Sequence, residues 1–170
     1  MSDIISQSMK PSELAVALRL CVEADQPAFI WGGPGVGKSS IVRQVADGLY
    51  GDPEAPANGA SGPAYFRDVR VLLLDPVDLR GLPSIADGKT TWNQPDFLPT
   101  TGEGIILLDE LNAAPPMMMA ACYQLVLDRR LGEYTVPPGW RIIAAGNREG
   151  ERAVAARLPS PLANRLEHFD

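Results

Sequence analysis

No apolar run in the 170 residues approaches the roughly 18–20 that a membrane-spanning helix needs. Residues Met1 to Pro11 are polar and acidic and contain no hydrophobic stretch, which speaks against a secretory leader. Histidine occurs once, as His168, so a histidine-based metal cage cannot be assembled. Only two cysteines are present, Cys21 and Cys122, far apart and inside apolar patterns. They read as buried thiols without a charged setting that would make a reactive thiolate, and they point to a reducing, cytoplasmic setting. Positive charge is in short supply: 15 Lys and Arg stand against 21 Asp and Glu, giving a net charge of −6. Nucleic-acid phosphates are bound largely by Lys and Arg, so duplex nucleic acid is not the expected partner.

What remains is the composition of an ordinary globular domain, with 45% hydrophobic and 21% charged residues. The length suits one domain that buries its own core without a disulfide or a metal staple. Glycine and proline, 16 of each, fall in clusters and mark loops.

Apolar spacing predicts a helix from Pro11 to about Ala24, with Leu14, Leu18, Cys21 and Val22 on one face. Pro27 to Trp31 reads as a buried strand, Lys38 to Tyr50 as a helix, and Val69 to Leu74 as a second strand. A polar connection spans Gly51 to Pro63. Between Asp75 and Gly104 lies a long segment whose Asp87-Gly88 pair signals a tight hairpin turn. Ile105 to Leu108 is a third strand. A helix opens at Pro115-Pro116 and runs to about Arg130, with Met118, Cys122, Leu125 and Val126 on one face. A turn or small hairpin from Gly132 to Gly139 leads to a fourth strand, Arg141 to Ala145. Ser160 opens a short helix, and Glu167 begins a fifth strand. Strands alternating with helices imply an α/β domain with a mainly parallel sheet.

Gly32-Gly33-Pro34-Gly35-Val36-Gly37-Lys38-Ser39 fits G-x-x-x-x-G-K-[ST] between a strand and a helix. Glycines let successive backbone N–H groups face phosphate oxygens, and the helix N-terminus adds a favourable dipole. Lys38 is expected on the β- and γ-phosphates and Ser39 on Mg²⁺; Ser40 completes the nucleotide-binding set. Sheet ligands bind beyond the carboxyl ends of parallel strands. Asp109 and Glu110, closing the apolar run Ile105 to Leu108, are therefore expected beside this loop. Asp109 is expected to hold Mg²⁺ through water, and Glu110 to orient and deprotonate the attacking water. Asn147 ends the next apolar strand, where it is placed to bond the γ-phosphate or the water. Arg165 is either a phosphoryl-stabilising arginine or a solvated helix residue, and spacing leaves the two even. Arg152 and Arg157 are weaker candidates for that task. Trp31 and Trp92 read either as stacking surfaces for a base or a partner, or as core; His168 reads as a strand-edge residue.

The set Gly32–Ser39, Leu108-Asp109-Glu110, Asn147 and Arg165, in this order, resembles the core of an AAA+ ATPase. Leu107 to Asn112 followed by Pro115, Asp78-Leu79-Arg80-Gly81-Leu82-Pro83, and Pro161 to Leu166 resemble its MoxR and dynein-related branch. The resemblance covers about Phe29 to Phe169. It implies a P-loop NTPase three-layer sandwich with sheet order 5-1-4-3-2 across residues 1–170, with an insertion in the second helix at about 75–104. It implies Asn147 as the sensor of the phosphate and Arg165 as a finger reaching a neighbouring subunit's nucleotide. It implies a ring, usually a hexamer, that spends ATP with Mg²⁺ on remodelling or maturing a protein partner, in this branch often one with a von Willebrand A-type domain. Ala113 stands where many relatives carry Arg. The chain ends as the fifth strand begins, before the family's helical lid with its second phosphate sensor, from which weak nucleotide affinity or weak assembly is expected. Two other functions remain compatible with the residues, a small-molecule P-loop kinase and a non-hydrolysing nucleotide-dependent interaction module.

Overall fold

Along the inner strands, successive side chains are apolar on both sides, and that pattern alone calls for cover on two faces. The computed structural model describes residues 8–51, 65–148, 158 and 160–170. Its elements are α1 (Pro11–Glu23), β1 (Ala28–Trp31), α2 (Lys38–Tyr50), β2 (Phe66–Arg70), α3 (Pro76–Arg80), β3 (Leu82–Ala86), β4 (Lys89–Asn93), β5 (Glu103–Asp109), α4 (Pro116–Asp128), β6 (Arg130–Leu131), β7 (Tyr134–Thr135), β8 (Gly139–Gly146), α5 (Ser160–Ala163) and β9 (Glu167–Phe169). Five strands form one parallel sheet in the order β2-β5-β8-β1-β9. Counted along the sheet's own strands, that is the expected order 5-1-4-3-2.

Alternate residues of each strand enter different cores. Phe29, Ile106, Leu108, Ile142 and Ala144 pack with Met118, Cys122, Leu125 and Val126 of α4. Ala28, Ile30, Ile105, Leu107, Ile143 and Ala145 pack with Leu14 and Leu18 of α1 and Val42, Val45 and Ala46 of α2. The result is the three-layer sandwich. Each fully buried Leu, Ile or Phe contributes about 1.5–3 kcal/mol by leaving water. The helix faces follow the spacing that predicts them. Pro11 opens α1 where no N–H partner is needed, and the Lys10 N–H donates to Glu13 Oε2 at 3.0 Å.

The second strand lies further toward the N-terminus than the apolar run suggests. It occupies Phe66–Arg70 rather than Val69 to Leu74, and Val71–Leu73 form a single 3₁₀ turn. Register is the reason. Arg70 pairs opposite Asp109, the last residue of β5, so the ladder has no partner beyond it. Val71 then folds into the core, while Leu73 is 72% exposed.

The segment from Asp75 to Gly104 carries its own small elements. The Asp75 N–H bonds Asp78 Oδ2 at 2.8 Å and starts α3. The β3–β4 hairpin turns through Asp87 and Gly88, whose φ values of 51° and 72° are those of a type I′ turn. A second hairpin, β6–β7, turns at Gly132. Arg152, Arg157 and nearly all of the Gly51-to-Pro63 connection lie outside the described residues. Among the described residues, no helix is long and apolar enough to cross a membrane.

Candidate functional site

β1 leaves the sheet at Trp31 and runs straight into the glycine-rich loop, and α2 begins at Lys38. Two glycines in this loop hold left-handed backbone, Gly35 at φ 80° and Gly37 at φ 91°. Gly37 is the residue before the helix, so the backbone turns there in a conformation that side chains disfavour. The turn leaves the first N–H groups of α2 facing the crevice at the carboxyl edge of the sheet.

Four of the side chains named from the sequence, Lys38, Ser39, Asp109 and Asn147, make paired contacts there. Ser39 Oγ donates to Asp109 Oδ2 at 2.8 Å. Lys38 is buried, and its Nζ reaches the Gly32 carbonyl at 2.7 Å, the Gly33 carbonyl at 3.0 Å and Asn147 Oδ1 at 3.2 Å. Asp109 Oδ1 accepts the Glu110 N–H at 2.9 Å. Glu110 itself is held at φ 57°, ψ 31°, a left-handed conformation at the very end of β5. Such a conformation costs a non-glycine residue of order 1 kcal/mol and clusters at functional sites. Glu110 is half-buried. Ser40 is exposed on the first turn of α2.

Asp68 is an acid that motif reading passes over. Although its side chain is exposed at the surface, desolvation by the neighbouring protein, followed by the negative charge of Asp109, pushes its carboxyl above the ordinary range, with Arg70 opposing. Asn112 belongs to the acidic motif named from the sequence but has no role assigned there. It is completely buried, directly after the acidic turn, and its carboxamide bonds the backbone of Asn147. The available signal is one amide in the otherwise apolar stretch Leu111 to Ala114.

Beside the loop lies a cavity of about 270 Å³ lined by Met9, Leu14, Trp31, Val36 and Ile41, with Arg148 and Asp170 at its polar side. Arg148 Nε donates to Asp170 Oδ1 at 2.6 Å. Trp31 is half-buried and serves both sheet and cavity: its ring stacks on His168 with centroids 5.9 Å apart. Trp31 Nε1 donates to His168 Nδ1 at 2.9 Å, and His168 Nε2 lies 2.8 Å from the Ala163 carbonyl. These two bonds require the neutral histidine with its proton on Nε2. Trp92 is on the exposed hairpin.

Arg165 is not brought to the phosphate loop of its own chain. It precedes β9, which pairs alongside β1 from Ala28, and its carbonyl accepts Gln26 Nε2 at 3.2 Å. It therefore lies at the amino edge of the sheet, exposed, in a pocket shared with Asp25, Arg129 and Arg141. The two cysteines are buried; burial raises both thiols, Cys122 to about 12, which fits inert core residues.

Among the described residues, no group of three or more His, Cys, Asp or Glu is arranged to hold a metal ion. A magnesium ion bound with a nucleotide needs less. One hydroxyl and one carboxylate, both oxygen donors and already in contact at Ser39 and Asp109, fit an ion that takes its other ligands from phosphates and water.

No family model matches the chain. Solved structures share its fold. An ATPase candidate from Cytophaga hutchinsonii superposes with a TM-score of 0.64 at 17% identity, over 96% of this chain and 47% of that one. NtrX from Brucella abortus in complex with ADP gives 0.57 at 19%, over 93% and 34%. A mutant of RuvB from Thermotoga maritima gives 0.58 at 16%, over 94% and 43%. The chain thus spans less than half the length of each. What the chain shares with them is the fold, a parallel five-stranded α/β sheet between helical layers, in the strand order 5-1-4-3-2.

Proposed function

We propose that this chain binds ATP with Mg²⁺ and hydrolyses it, as the core of a ring-forming, MoxR-like remodelling machine that acts on a protein partner. The observation that carries the reading is one crevice in which Ser39 bonds Asp109 while Lys38 bonds Asn147, with Glu110 next in the chain. Loop N–H groups and Lys38 would bind the β- and γ-phosphates, and the cavity beside Trp31 would take the base. Ser39 and Asp109 would hold Mg²⁺, which neutralises charge on the phosphate oxygens. Glu110 aligns a water for attack on the γ-phosphorus and takes its proton. The bond from that phosphorus to the bridging oxygen breaks, releasing ADP and phosphate. Asn147 fixes the γ-phosphate or the water. Arg165, at the far edge of the sheet, acts on a second copy's nucleotide.

Phosphate release and nucleotide binding by wild type, Lys38→Ala and Glu110→Gln test this. Lys38→Ala should lose binding. Glu110→Gln should keep binding and lose turnover by about 10²–10⁴-fold, the range for a positioned general base. ATP binding without turnover in wild type would favour an interaction module, and transfer to a small-molecule acceptor a kinase. Solution mass with and without ATP and Mg²⁺ tests the ring.

A further inference from the structure

Asn147 is the first residue past the end of the β8 ladder. β1 pairs with β8 as far as Trp31 opposite Gly146, and β5 pairs only to Leu108 opposite Ala144. The N–H and C=O of Asn147 are therefore left without strand partners at a buried position, where unpaired groups are costly. One side chain satisfies both. Asn112 Nδ2 donates to the Asn147 carbonyl at 2.7 Å, and Asn112 Oδ1 accepts the Asn147 N–H at 3.0 Å. The fit is made possible by Gly146. A Cβ there would lie 2.3 Å from Asn112 Oδ1 and 2.7 Å from Phe29 Cζ.

The two ends of this brace belong to different parts of the site. Asn112 sits in the 3₁₀ turn Leu111–Ala113, directly after Glu110. Asn147 turns its own Oδ1 to Lys38 Nζ at 3.2 Å. Two backbone bonds from one planar carboxamide fix both distance and orientation, and the side chain is 0% exposed, so it has nowhere to relax.

We propose that Asn112 is a positioning residue for ATP hydrolysis: it ties the turn bearing Glu110 to the strand end bearing Asn147, so that base and phosphate-sensing amide stay in register. This rests on the ATPase reading above. Both ends of the Asn112 carboxamide are taken up by the Asn147 backbone, so it acts through Asn147.

The test compares wild type, Asn112→Ala and Asn112→Asp in the 170-residue chain, with melting curves to normalise for folded protein. Displacing reacting groups by about an ångström can cost on the order of 100-fold. Asn112→Ala should therefore lower kcat about 10–100-fold while KM for ATP and affinity for ADP stay within about threefold. A carboxyl at 112 can imitate the carboxamide only when protonated, with one oxygen accepting and the O–H donating. The kcat of Asn112→Asp relative to wild type should therefore rise on acidification, with Lys38, Asp109 and Glu110 as the charged groups nearby. A role confined to stability would lower the melting temperature and leave kcat per folded molecule unchanged. That result, or an Asn112→Asp ratio independent of pH, overturns the proposal. If Asn112→Ala does not fold, the Asn112→Asp profile decides. Absence of turnover in wild type would instead overturn the ATPase reading, and this proposal with it.

Discussion

Glu110 occupies a backbone conformation that a glycine would hold more easily, at φ 57° and ψ 31°. Asp25, Asp87 and Arg129 hold similar φ values at turns and helix ends; on the proposed mechanism, the strain at Glu110 is kept for chemistry rather than stability. Glu110→Gly should therefore melt no lower than wild type, while phosphate release falls by about 10²–10⁴-fold. Asp68 presents a related conflict. Desolvation and Asp109 raise its carboxyl above the ordinary 3.8, so the folded chain holds this proton more tightly than the unfolded chain does. Between 3.8 and the raised folded value, stability falls as pH rises, and above that window the penalty is complete. Asp68→Asn should raise the melting temperature at neutral pH, with the gain vanishing at pH values below the unfolded carboxyl's range. Melting curves of both proteins across pH check this.

At the scale of elements, the β3–β4 hairpin stands on one glycine. Gly81 has φ 82°, and a Cβ there would lie 1.9 Å from the Asn93 carbonyl at the hairpin's other foot. Gly81→Ala should strain the base by about 1–3 kcal/mol. Because β3 and β4 are exposed almost throughout, the cost should be local: faster tryptic cleavage and amide exchange within 81–94, with the sheet's exchange unchanged. This hairpin was legible because Asp87-Gly88 carries a turn type in two adjacent letters. α1, α2 and α4 were legible because one face of each repeats at helical spacing. β2 was misplaced because Val69 to Leu74 is equally apolar inside and outside the ladder, and only pairing with β5 ends the strand at Arg70. The loop and the acidic turn were readable from local spacing. Asn112 was not: the bonds that give it meaning span 35 residues, and a sequence shows no such partner.

Across the whole molecule, Lys38 and Arg165 lie at opposite edges of one parallel sheet, Lys38 beyond the carboxyl end of β1 and Arg165 beside its amino end. No single chain brings them together. If both serve hydrolysis, a working site draws on two chains. Lys38→Ala and Arg165→Ala should each be inactive alone, with a loss of about 10³–10⁵-fold for the arginine. Mixing them should restore part of the turnover, because one contributes an intact loop and the other an intact arginine. Phosphate release from the mixture, against each variant alone, gives the answer; no recovery at any ratio would rule out exchange of parts between copies.

The indole of Trp31 carries a reporter with it. It flanks the cavity beside the loop, while its N–H is held by a ring nitrogen of His168 that accepts only as long as that ring is neutral. Trp140 is sealed inside the protein and Trp92 rides on the outer hairpin, so the three fluorophores occupy distinct surroundings. Occupancy of the cavity should therefore alter Trp31 emission, which makes the unlabelled chain its own optical probe.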